Sequence, residues 1–150
     1  MPNKKHVLST LAGLVILMLA ALAQAENSQD FGDYVVHFNA LSTDMLPASV
    51  TKQYGIKRSK NRGMINIAVL RKVLGTTGKP VPARVTASAT NLTGQKRDIS
   101  LREIREGTAI YYIGTFPVSH EETLRFTVGV QPEGEKDAFE VKFKQQFYTR

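Results

Sequence analysis

From Asp33 onward the apolar and polar positions of this chain alternate with a period of two, the pattern of strands that bury one face. In "DYVVHFNAL", Tyr34, Val36 and Phe38 alternate against Val35, His37 and Asn39. Further strand-like runs cover 64–73, 81–91, 98–104, 109–116, 123–130 and 138–148. Turn residues separate them: "GTTGKP", "NLTGQ", "REG", "PVSHE" and "QPEGEKD". The last two runs are the cleanest. Leu124, Phe126, Val128 and Val130 share one face, as do Phe139, Val141, Phe143 and Phe147, with polar residues between them. "IYYIGTF" differs, because Tyr111 and Ile113 fall on one face while Ile110, Tyr112 and Phe116 fall on the other. Apolar bulk on both faces predicts a strand packed on both sides or covered at an interface.

One segment breaks the strand period. "STDMLPASVTKQYG" predicts a helix of at most two turns, with Asp44 as a cap, Pro47 near the start, Val50 and Tyr54 on a shared face and Gly55 at the end. With the strand spacing, this predicts an all-β, immunoglobulin-like two-sheet β-sandwich of about seven strands with one short helix after the first strand. A small barrel is the structural alternative. About Glu26 to Phe31 and the loop around 57–62 are expected to be disordered.

The N-terminus reads as a secretory signal. Lys4 and Lys5 precede an apolar stretch from Val7 to Leu22, and Ala23 and Ala25 fit the small-x-small cleavage rule. Residues 1–25 are therefore expected to be a signal peptide, 26–150 a single β-sandwich domain, and the location periplasmic. An uncleaved anchor is the alternative, and no later stretch is long enough to span a bilayer. The chain has no cysteine, which excludes disulfides, thiolate nucleophiles and cysteine metal sites. After the signal, charge is uneven: residues 52–105 carry 13 basic and two acidic side chains, whereas 26–51 carry four acids and no Lys or Arg. Only the folded positions decide whether one surface becomes basic.

Lys57, Arg58, Lys60 and Arg62 stand in "YGIKRSKNRG", directly before the apolar run "MINIAVL". Clustered cations steer anions, so a lipid headgroup, a polyanionic glycan or an acidic protein would fit there. The competing role is that of charged gatekeepers beside an aggregation-prone strand. Export and sparse aromatic interleaving argue against nucleic acid. His37 and His120 belong to no two-histidine helical motif, so no metal ligand is assigned. There is no G-x-S-x-G elbow, and "GTTGKP" lacks phosphate-loop spacing. In "LREIREG" local ion pairing accounts for the charges, and no catalytic residue or cofactor is expected.

"HFNALSTDMLPASVTKQYGIKRSKNRGMINIAVL", "SATNLTGQ", "REIREGTAIYYIGTF" and "EETLRFTVGVQP" together resemble a family of exported proteobacterial proteins known as a domain of unknown function, the 4426 family. The resemblance runs from about Gly32 to Tyr148. It implies a periplasmic β-sandwich with no assigned catalytic residue, and a recurring motif around Tyr54, Arg58, Lys60, Asn61 and Arg62. The expected function is a non-enzymatic binding module contacting an envelope protein or anionic envelope component, with no transmembrane span once the signal is removed. Candidate contacts are Tyr54, Lys57, Arg58, Lys60, Asn61, Arg62, Tyr111 and Tyr112. The alternatives are a metal-dependent or hydrolytic enzyme using His37, His120 and nearby carboxylates, and a periplasmic folding or stability factor.

Overall fold

The structure is a computed structural model that describes residues 27–150, so the expected signal peptide lies outside the described residues. The alternating residues form two antiparallel sheets facing one another. The first contains β1 (Asn27–Phe31), β2 (Tyr34–Ser42), β3 (Arg62–Arg71), β4 (Lys79–Pro80), β7 (Arg102–Glu106) and β8 (Ala109–Pro117). The second contains β5 (Ala83–Asn91), β6 (Lys96–Ile99), β9 (Glu122–Pro132) and β10 (Phe139–Phe147). Their orders are β1-β2-β3-β8-β7, with β4 also on β3, and β10-β9-β5-β6. The runs β2-β3-β8-β7 and β10-β9-β5 reproduce the A-B-E-D and G-F-C orders of immunoglobulin domains, with β6 as an added strand beside C. The expected fold class is observed.

Among the described residues, ten strands replace the expected seven. The run 98–104 is two strands, because the chain leaves the second sheet at Ile99 and joins the first at Arg102. Asn27–Phe31, expected to be disordered, pairs with β2 from Asn27 opposite Phe38 to Phe31 opposite Tyr34. Backbone pairing, which the polar sequence "NSQD" does not advertise, supplies its order.

The main core lies between the sheets. Val36, Ile65, Ile67, Leu124, Phe126, Val128 and Val141 are buried there, and Phe126 stacks on Phe143 with ring centroids 4.8 Å apart. Among the described residues the buried side chains of this core fall within 34–147. A second cluster covers the outer face of the first sheet, where Leu46, Ile56, Met64 and Ile113 pack with Leu41, Tyr54, Ile104 and Tyr111. The roof over this cluster is a 3-10 turn (Thr43–Met45), helix α1 (Ala48–Gln53) and the chain back to β3. Asp44 sits in the 3-10 turn instead of capping α1, whose N-cap is Pro47. Gly55 then turns the chain at φ 63°, a left-handed conformation that glycine adopts without steric cost.

Candidate functional site: a basic groove beside the strand switch

The polar stretch before β3 is held in place. Thr43 is fully buried, and its hydroxyl accepts from the Ser59 N–H at 2.9 Å and donates to the Lys57 carbonyl at 2.8 Å. The Arg58 guanidinium donates to the Asp44 carbonyl at 2.7 Å. Asn61 accepts from the Val118 N–H at 2.9 Å, which ties the stretch to the β8–β9 turn. The expectation of a disordered loop at 57–62 is thus corrected: its backbone is pinned while the side chains of Lys57, Arg58 and Lys60 stay exposed.

Facing this stretch is the segment where the chain switches sheets. Ser100 and Leu101 cross over Gly114 so closely that a Cβ there would lie 2.6 Å from the Ser100 carbonyl oxygen. Between the two segments runs a groove of about 430 Å³, lined among others by Lys57, Arg62, Leu101, Arg102, Gly114 and Thr115. Arg62 donates to the Thr115 hydroxyl at 3.2 Å, and Arg102 donates to the Tyr54 carbonyl. Among the described residues, Lys57, Arg58, Lys60, Arg62 and Arg102 form no salt bridge; the ion pairs lie elsewhere, as in Arg97–Glu122 and Arg105–Glu103. Cations that lack a carboxylate partner keep their field for an outside anion.

The other candidates play different parts. Tyr54 is half-buried and donates its hydroxyl to Glu106; burial, then the Glu106 carboxylate, pushes its phenol well above the ordinary tyrosine range. Tyr111 packs in the outer cluster. Tyr112 is only 5% exposed and faces the other way, into the main core. Its hydroxyl accepts from the Ala83 N–H at 2.8 Å and donates to Glu103 at 3.3 Å. Tyr112 is therefore removed from the contact surface, because neighbouring residues of a strand point to opposite faces. Glu103 is held below the usual carboxylate range by its hydrogen bond with Arg105.

His37 lies within β2 opposite Ala68, while His120 sits in the β8–β9 turn, where it accepts from the Thr149 N–H at 3.1 Å. Among the described residues no group of three or more His, Cys, Asp or Glu side chains is placed to hold a metal ion. No described helix is long and apolar enough to cross a membrane. Arg102, Thr115 and Thr43 were not singled out by sequence reasoning as parts of this site. Gly114 had a signal of its own, being a lone glycine inside a strand pattern, which marks close approach by another backbone.

The fold and groove define a class: an immunoglobulin-like sandwich carrying a pinned basic groove on its outer face. Residues 28–150 match the family described as a domain of unknown function (DUF4426), and the chain belongs to that family. A crystal structure of a DUF4426 family protein from Pseudomonas aeruginosa PAO1 is 38% identical, with a TM-score of 0.72 over 83% of this chain and 96% of that one. FetP of uropathogenic Escherichia coli, recombinantly expressed in the periplasm, shares the fold at 12% identity and a TM-score of 0.56, over 81% of this chain and 93% of its own. A copper-bound FetP variant gives 11% and 0.58, over 82% and 95%. No curated protein matches this chain.

Proposed function

We propose that this protein is a periplasmic, non-enzymatic interaction module whose basic groove holds an anionic group of an envelope component. The observation that carries the reading is a groove of about 430 Å³ whose cationic side chains lack carboxylate partners among the described residues. Arg62 and Arg102 are oriented by neutral acceptors, which leaves their charge uncompensated. Lys57 lines the groove, and Lys60, exposed in the same pinned stretch, adds to the positive field. The location follows from the signal expected over residues 1–25.

Envelope fractionation tests this. Wild-type protein released from cells at low ionic strength is expected to stay with an envelope component and to leave it as salt rises, since exposed charges are screened over about 10 Å at 0.1 M. The double variant Lys57→Glu, Lys60→Glu is expected to be released at low salt. Equal release of both proteins would overturn the reading.

A further inference from the structure

The strand register sorts charge along the sandwich. Arg62 stands opposite Pro117, Asn91 opposite Leu124 and Glu122 opposite Phe147, so residues 43–45, 57–62, 92–97, 117–122 and 148–150 share one end. That end carries Lys57, Arg58, Lys60, Arg62, Lys96, Arg97 and Arg150 against Asp44, Glu121 and Glu122. Arg97 and Glu122 are 3.5 Å apart and compensate one another. The opposite end holds Asp33, Glu133, Glu135 and Asp137 beside Lys72, Lys79 and Lys136.

Apolar side chains project from the basic end too. Leu92 is 65% exposed at the β5–β6 turn, Met45 61% in the 3-10 turn and Tyr148 59% after β10. Exposed apolar tips at an end rich in cations match an interface with negative headgroups outside and acyl chains beneath.

We infer that the protein docks end-on to an anionic phospholipid surface through residues 57–62 and the tips at Met45, Leu92 and Tyr148. The inference rests on the anion-binding reading above and names its partner. An acidic segment would satisfy the cations alone, whereas an anionic lipid surface takes the cations and the apolar tips together.

Cosedimentation tests it, using the protein purified from the periplasm and phosphatidylcholine vesicles with or without phosphatidylglycerol. Binding is expected only with the anionic lipid, falling at least about tenfold as salt rises from 50 to 200 mM, in the manner of multi-cation contacts. Lys57→Ser with Lys60→Ser is expected to weaken binding about tenfold and Leu92→Ser severalfold. Leu74→Ser provides the control, because Leu74 is fully exposed in the β3–β4 turn at the opposite end. Equal binding to neutral vesicles, equal loss from Leu92→Ser and Leu74→Ser, or self-association of basic with acidic ends in place of vesicle binding would overturn the inference. Absence of vesicle binding together with salt-sensitive retention on a protein component would overturn the membrane partner alone and leave the anion-binding reading standing. Loss of both would remove both.

Discussion

Replacing Thr43 by valine removes one hydroxyl and nearly preserves the shape of the side chain. That hydroxyl holds the Ser59 N–H at 2.9 Å and the Lys57 carbonyl at 2.8 Å from a position with no exposed surface. A buried polar group deprived of its partner costs about 1–3 kcal/mol. Two groups are orphaned, but Ser59 is only half-buried and Lys57 exposed, so water reaches part of both. The expected net loss is about 2 kcal/mol. Urea unfolding should show a lower midpoint with an unchanged slope, since the exposed surface on unfolding stays the same. Amide exchange adds a local reading: the Ser59 amide should exchange faster, while amides in β9, such as Val128, should slow or quicken only with global stability. Thr43→Ser keeps the hydroxyl and should retain the Ser59 protection. A loss under about 0.5 kcal/mol with Ser59 still protected would refute the claim that Thr43 pins the basic stretch.

Other substitutions probe the surrounding structure. Gly114→Ala drives a Cβ to 2.6 Å from the Ser100 carbonyl and should cost about 1–3 kcal/mol by thermal unfolding; a neutral result would show that the strand switch is free to move away. Phe143→Ala strips a ring lying 4.8 Å from Phe126 and 4.6 Å from Phe38, and should cost about 2–4 kcal/mol, below the full-burial value because Phe143 is half-buried. Lys57→Ser with Lys60→Ser should leave urea stability within about 0.5 kcal/mol, since neither side chain has a described partner, and a larger loss would make them structural. Tyr54 has a raised folded pKa, so its contribution is complete below the unfolded tyrosine pKa of about 10 and is lost as pH rises above it. Tyr54→Phe should therefore flatten the alkaline fall in urea midpoint, and an unchanged fall would place Tyr54 outside the coupling.

The strand phases were legible wherever one face is buried, as for Phe126 and Val128 in β9 or Val141 and Phe147 in β10, because burial there forces the period of two. The two-sided pattern of "IYYIGTF" also reads through: Tyr112 enters the main core and Tyr111 the outer cluster. The break between β6 and β7 was legible only as a slip of phase. Ile99 and Leu101 pack on the main core, whereas Ile104, at an odd spacing from them, packs on the outer cluster. The bend that causes this slip lies over Gly114, a residue on another strand, so no local propensity announces it. Of the site, Lys57, Arg58, Lys60 and Arg62 were visible as a run of cations. Arg102 was read as part of a local ion pair because its neighbours Glu103 and Arg105 do pair, at 2.5 Å, while Arg102 itself turns to the Tyr54 carbonyl. Such a partner, 48 residues away in sequence, becomes visible only once the helix is laid across the sheet.

The account stands on the basic stretch being a contact surface, and in-cell photo-crosslinking from Lys60 tests that most directly. Lys142, which pairs with Glu140 at 3.3 Å on the solvent face of β10, supplies the control position. The account predicts a discrete envelope adduct from a probe at Lys60, lost when Lys57 becomes Glu, and none from Lys142. Adducts from both positions alike, or from neither at matched expression, would contradict it and return the cations to the role of charges that keep β3 soluble.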